Sequence, residues 1–208
     1  TDTESGIVDK EHLIGAYGSI YLLQYKDAAQ AMNAYMYYKE NAEAVEPDVI
    51  VEAATENASE NACDSIPSET ESNAIAALNT AEDSVAAKSE DNVIALIDTG
   101  VSESENIVDR ISLIDDDLAG KNSHGDTMVK NIVNQNNEAK ILSIRALGDN
   151  GQGSISDVIA AMEYAIKQNV GIINLSISTR KDSINKILET EIDKAVGDGI
   201  TVVGAAGN

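Results

Sequence analysis

The stretch Val93 to Gly100, VIALIDTG, constrains this chain more than any other. Its five apolar residues, Val93 to Ile97, form a run short enough for a strand buried on both faces, and the run stops at an acid followed by Thr99 and Gly100. A carboxylate is thereby set at the carboxyl end of a buried strand, the edge of an open parallel sheet where ligands and chemistry collect. Taken alone, Asp98 could equally be an acid that caps the next turn.

The residues that follow repeat an alternation of strand and helix. Ser102 to Gly120 reads as an irregular acidic loop, in which Asp115, Asp116 and Asp117 could face a cation or form a solvated turn; adjacent side chains point in different directions, which favours the turn. NSHGDTMVKNIVNQ places Met128, Val129, Ile132 and Val133 on the buried side of a helix, with His124 near its start. ILSIRAL (Ile141 to Leu147) reads as a strand and GDNGQGS as a glycine-rich turn. Ile155, Val158, Ile159, Met162 and Ile166 then mark a helix begun by Ser154 or Ser156. VGIINLS is a strand ending at Asn174, Leu175 and Ser176. A helix after Ser183 carries Ile184, Ile187, Leu188, Ile192 and Val196 and closes at Gly197 or Gly199, and ITVVGAAGN reads as a buried strand. Four β-runs separated by helices call for an α/β fold, a parallel sheet covered on both faces.

The front of the chain differs in composition. Six of the seven tyrosines (Tyr17, Tyr21, Tyr25, Tyr35, Tyr37 and Tyr38) lie there, and the chain has no Phe or Trp. Residues 1–16 give no clear element. SIYLLQY reads as a strand, and Asp27 precedes a helical stripe of Ala28, Ala31, Met32, Tyr35 and Tyr38. Val45, Val49 and Val51 suggest a further strand, which Pro47 would confine to an edge or bulge. A unit this small needs a partner surface. Residues 54–91 are acidic and poor in large apolar residues, the signature of a solvated linker, with short helices at 74–78 and 81–87 conceivable. The expected division is therefore 1–53, a small α+β unit; 54–91, linker; and 92–208, the α/β unit.

A formal charge of -22 repels phosphate backbones and anionic membrane surfaces, so neither nucleic acid nor membrane is an expected partner. No apolar run approaches the ~20 residues of a membrane span. The single Cys63 has no metal-ligand spacing and reads as a bystander.

Asp98, His124 and Asn208 sit where strands end or helices begin. A His at a helix start meets the positive end of the dipole, which disfavours its charged form and suits it to accept a proton. A buried Asp can hold its ring in one tautomer, and an Asn at a strand tip can donate to a developing oxyanion. Together they describe acyl transfer from a hydroxyl nucleophile.

At these residues the chain resembles the subtilisin-like serine peptidases. VIALIDTG is similar to the family's first motif and implies Asp98 as triad acid; HGDTMVKNI is similar to the second and implies His124 as general base, with Asp126 where Thr is usual. RALGDNGQGSISDVIAAMEYAIKQNVGIINLSIS resembles the substrate-edge loop, central helix and next strand. That likeness implies that Gly151 and Gly153 pair with an extended peptide and that Ser176 lines the pocket before the scissile bond. ITVVGAAGN resembles the strand whose terminal Asn, here Asn208, completes the oxyanion hole. The Asp-Thr-Gly of all-β aspartic peptidases is disfavoured by the βα alternation, and the glycines of GDNGQGS fit no dinucleotide or P-loop fingerprint.

The resemblance implies a subtilisin-like three-layer fold, truncated, preceded by a propeptide-like unit. YLLQYKDAAQAMNAYMYYKENAEAVEPDVIVEA is similar to the second half of the family's propeptide, which chaperones and inhibits its own catalytic domain; an ordinary αβ appendage is the alternative. Cleavage would fall after Val51, at a bond the sequence leaves open. The family's nucleophilic Ser, in a Gly-Thr-Ser motif beyond the Asn strand, has no counterpart before Asn208. The expectation is the front part of an exported serine endopeptidase, inactive alone and prone to aggregate, acting on peptides or proteins without cofactor or metal. The second reading is a peptidase-like remnant that binds extended peptides without cleaving them.

Overall fold

The computed structural model describes residues 7–15, 18–42, 44–54, 93–179 and 185–205. Cys63, the conceivable helices at 74–78 and 81–87, Ser183 and Asn208 lie outside the described residues.

The centre of the molecule is a five-stranded parallel sheet. In chain order its strands are β4 (Val93–Asp98), β5 (Ile107–Ser112), β6 (Lys140–Arg145), β8 (Ile172–Leu175) and β10 (Thr201–Gly204), arranged β10-β8-β4-β6-β5. VIALID is thus the middle strand, hydrogen-bonded on both sides. Its alternation divides the core. Ala95 and Ile97 join the larger apolar cluster, whereas Leu96 joins the smaller one with Val129 and Ile141. The larger cluster contains α3 (Ile155–Lys167) and the inner face of α4 (Lys186–Gly197); the smaller one is closed by α2 (His124–Gln135). Helices on both faces of a parallel sheet make the expected three layers.

The helix α3 is the most deeply set of the three, with Val158, Ala161, Met162 and Ala165 fully enclosed. Ser154 begins it: its hydroxyl accepts from Asp157 N at 3.0 Å, and the Asp157 carboxylate accepts in turn from Ser154 N and Oγ. Such a cap contributes about 1 kcal/mol.

The front residues form a β-hairpin, β1 (Ile7–Gly15) with β2 (Gly18–Tyr25), followed by α1 (Ala28–Asn41), which Asp27 caps through Gln30 N. Residues 1–16 give no clear element in the sequence, yet residues 7–15 form β1. Its run of Asp9, Lys10, Glu11 and His12 hides any apolar alternation, and pairing with β2, including a His12–Tyr21 ring stack at 4.5 Å, supplies its order instead. In α1 the inner face runs through Ala31, Ala34, Tyr35 and Tyr38, while Met32, expected on that face, is 60% exposed.

Three further corrections concern strands. Ser102 to Gly120 is not wholly irregular, because it contains β5, an edge strand whose Val108 faces solvent. β10, expected to be buried, is the opposite edge among the described residues and leaves Val203 47% exposed. Finally, β3 (Ile50–Ala53) is no edge strand: it lies in the middle of a second, antiparallel sheet ordered β7-β3-β9, between β7 (Gln152–Ser154) and β9 (Ile177–Thr179). Pro47 precedes the strand, so its missing N–H interrupts no ladder. β7 lies inside what reads as a glycine-rich turn, and β9 follows Ser176 directly.

Candidate active site

The alternation that sends Ile97 to one face of the sheet sends Asp98 to the other, where α2 begins with His124. His124 Nδ1 lies 2.9 Å from Asp98 Oδ1 and 3.0 Å from Oδ2. Asp98 is 1% exposed, and its Oδ1 also accepts from Thr99 N at 2.7 Å. Thr99, fully buried, then ties strand to helix: its hydroxyl donates to Asn122 O and accepts from Gly125 N at 3.1 Å. The His124 N–H donates to Asn122 Oδ1, so the segment before α2 is held at both ends. Gly125 has to be glycine, because a Cβ there would run into the carbonyl oxygen of Gly100.

Arg145, opposite Asp98 in the β4–β6 register and only 2% exposed, anchors the surrounding loops. Its Nη1 donates to Asp115 Oδ1 and Asp117 O, both at 2.6 Å, and its Nη2 to Asp149 Oδ1 at 3.0 Å. Asp149 also accepts from Lys121 N. The Asp115–Asp117 run is thus folded into a turn: Asp117 Oδ1 accepts from Ala119 N and Gly120 N, which together hold its carboxyl below the usual range. Among the described residues no group of three or more His, Cys, Asp or Glu side chains is placed to hold a metal.

A groove runs past His124 between β7 and β9, and residues 50–54 fill it. Val51 is opposite Gly153 on one side and Thr179 on the other. Ala53 N donates to Gly151 O and Ala54 N to Ser176 O, both at 2.8 Å. Of the residues named from the sequence, Gly151, Gly153 and Ser176 are therefore brought together along one extended segment, beside Asp98 and His124; Asn208 lies outside the described residues.

His124 Nε2 faces the Ala54 carbonyl oxygen at 3.2 Å. Both ring nitrogens thus face acceptors, an arrangement that suits the doubly protonated imidazolium. The hydrogen bond to Asp98 raises the His124 pKa above its ordinary 6.5; burial opposes this, while the Asp98 charge and the Ala54 carbonyl add to it. This corrects the expectation that the helix start would disfavour the charged ring: a carboxylate in direct contact outweighs a helix-end dipole.

Sequence reasoning missed the binding of Asn122, the anchoring by Arg145 and the β9 edge. The Asn122 and Arg145 roles depend on loops meeting across 20 to 30 positions, for which no local pattern exists. The β9 edge, IST, is too short to show a period.

Residues 89–208 match the model of the subtilase family, peptidase S8, and the chain belongs to that family. It is 35% identical over 71 residues to the minor extracellular protease Epr of Bacillus subtilis (strain 168), a match covering 34% of this chain and 11% of that protein. It is 35% identical over 95 residues to subtilisin E of the same strain, covering 41% and 24%. A thermophilic serine proteinase of Bacillus sp. (strain AK1) is 41% identical over 69 residues, covering 33% and 17%. The chain thus spans well under two thirds of the length of these relatives. A crystal structure of a cold adapted subtilisin-like serine proteinase aligns with TM-score 0.49 and 24% identity, covering 56% of this chain and 46% of that one.

Proposed function

We propose that this chain carries the acid and base of a subtilisin-type serine endopeptidase, together with a propeptide-like unit that occupies its own substrate groove. The observation that carries this reading is the His124 ring, held by buried Asp98 at Nδ1 and turned at Nε2 toward the carbonyl of an extended segment. In the reaction, a serine hydroxyl of the gene product adds to a peptide carbonyl as His124 Nε2 takes its proton. Asp98 holds the Nδ1–H tautomer and stabilises the imidazolium, and Asn208 donates to the oxyanion. β7 and β9 bind substrate as an added strand, through Gly151 O and Ser176 O.

Residues 1–53 are the propeptide-like unit, 54–91 the linker and 92–208 the catalytic portion. The unit reaches the catalytic portion through β3 in the groove, through Val49 O, which accepts from Ile155 N, through Asp48, whose carboxylate accepts from Ser156 N and Oγ at the start of α3, and through Ile20, which packs against the larger apolar cluster. Filling the groove in this way keeps a zymogen silent. The resemblance to an extracellular relative supports export, and among the described residues no helix is long and apolar enough to cross a membrane.

The test is peptide hydrolysis by the product of the complete coding sequence. Turnover that His124→Ala reduces by roughly 10³-fold or more supports the reading. A folded product that binds extended peptides without hydrolysing them supports the peptidase-like remnant instead.

A further inference from the structure

We propose that Asp126 is a positioning residue for His124: its carboxylate grips Ser102 through two hydrogen bonds, fixes the first turn of α2 on the segment that leaves β4, and so sets the His124 ring on Asp98. The inference rests on the peptidase reading above, in which His124 is the base, and deepens it.

Asp126 lies in the first turn of α2, where any carboxylate is favoured by the helix dipole. Its oxygens do more than that position requires. Oδ1 accepts from Ser102 N at 2.8 Å and Oδ2 from Ser102 Oγ at 3.0 Å, a link across 24 positions. One rigid carboxylate that takes two donors from a single residue fixes orientation as well as distance. Ser102 is exposed, yet its neighbours are held: Arg110 of β5 donates from Nη1 to Val101 O at 3.2 Å and from Nη2 to Glu103 Oε1 at 2.7 Å, and the Val101 side chain is fully buried. The helix is therefore tied to an anchored segment.

The tie continues a series. Asp98 meets His124, Thr99 meets Gly125 and Ser102 meets Asp126, so the segment leaving β4 and the first turn of α2 run side by side. Between them the Gly100 carbonyl abuts Gly125, which serves as the pivot. Ser123, just ahead of α2, makes no side-chain cap bond to the helix. Without the Asp126 contact the far end of this series is open, and the turn can roll about the pivot. The ring would feel such a roll directly, because Nδ1 lies almost equally far from the two Asp98 oxygens, at 2.9 and 3.0 Å. A misplacement of about 1 Å can cost on the order of 10²-fold in rate. The charge of the ring is set by the Asp98 hydrogen bond, by burial and by the Ala54 carbonyl, so Asp126 acts on it by position rather than by its field.

The test follows the ring titration of His124 by NMR in the 208-residue chain, told apart from that of His12, the chain's other histidine. Asp126→Ala should lower the midpoint by about 0.5 pH unit or more, because the Asp98 contact that raises it is loosened. Asp126→Asn offers Ser102 an acceptor and a donor in the same places and should keep the midpoint within about 0.2 pH unit. An unchanged midpoint in Asp126→Ala, whatever its stability, would reduce Asp126 to a helix-dipole role and overturn the proposal. A shift in Asp126→Asn as large as in Asp126→Ala would make the effect one of charge and overturn it too. Should Asp126→Ala fail to fold, Ser102→Ala removes the hydroxyl arm from an exposed residue and takes its place, with the same direction of shift expected and an unchanged midpoint again contradicting. In the product of the complete coding sequence, Asp126→Ala should lower kcat about tenfold with KM within about twofold, and Asp126→Asn should restore kcat. An unchanged kcat in Asp126→Ala, or a loss confined to KM, overturns the positioning role. An unaltered product that hydrolyses no peptide overturns the peptidase reading instead, and the ring titration then decides on Asp126 alone.

Discussion

The guanidinium of Arg145 meets the carboxylate of Asp149 at 3.0 Å, two residues before the glycine that pairs with the docked strand. Because the same guanidinium also holds Asp115 and the Asp117 carbonyl, one side chain fixes the loops on both sides of the Asp98–His124 pair. Arg145 is 2% exposed, whereas its partners Asp115 and Asp149 are 48% and 41% exposed, so the loss on removing it is smaller than for a fully enclosed pair. Arg145→Met should cost about 1–3 kcal/mol in urea denaturation at pH 7. A change within about 0.5 kcal/mol, the range of an ordinary surface substitution, would show that the loops hold without it.

Gly125 offers a test in which helix propensity and packing have opposite signs. Alanine in place of a helical glycine ordinarily stabilises by up to ~1 kcal/mol. Here the added Cβ collides with the Gly100 carbonyl, so Gly125→Ala should destabilise by roughly 1–3 kcal/mol and perturb the His124 resonances. A more stable variant with an unchanged His124 would contradict the close approach of α2 to the loop after β4.

The start of α3 makes stability depend on pH. Burial pushes the Asp157 carboxyl up to about 6 from its ordinary 3.8, against the Ser154 hydrogen bonds that favour its charge. The folded chain therefore holds this proton more tightly than the unfolded chain. The contribution is fully present below the unfolded value and is lost as pH rises through about 6. Relative to Asp157→Asn, the unaltered chain should gain about 1–2 kcal/mol as pH falls from 7 to 4, measured by denaturant midpoint at each pH. A parallel pair of profiles would contradict it.

His124 carries the same sign through a different cause. With its pKa raised above 6.5 by Asp98, the stability it contributes is present below 6.5 and lost as pH rises through the folded value. Removing the carboxylate charge in Asp98→Asn should lower the midpoint of the His124 ring titration followed by NMR. An unchanged midpoint would mean that Asp98 does not set the ring's protonation.

How much of this was legible follows from where the information lies. Asp98 and His124 were readable because each ends or begins an element with a strong local period, and the alternation within VIALID fixes the face on which they meet. That a serine, Ser154 or Ser156, begins α3 was readable for the same reason, and the structure makes it Ser154. β1 and β5 were not, since each is paired on one side only and carries charges that mask its period. The central place of β3 was hidden because its partners lie about 100 or more positions away, as in the Glu52–Gln152 contact. A four-residue strand holds no sign of what it will pair with. Its apolar Val51 was visible, but not that the residue is buried in the same cluster as Leu147, Ile155 and Val158.

Backbone amide hydrogen exchange at Ala53 and Ala54 in the unaltered chain tests the central claim most directly, because those two N–H groups donate to Gly151 O and Ser176 O across the groove beside His124. If the chain fills its own groove, both amides exchange slowly, with protection that falls away in Glu52→Pro while the β4 amides keep theirs. Exchange of Ala53 and Ala54 at the rate of an unstructured peptide, with β4 still protected, would contradict it.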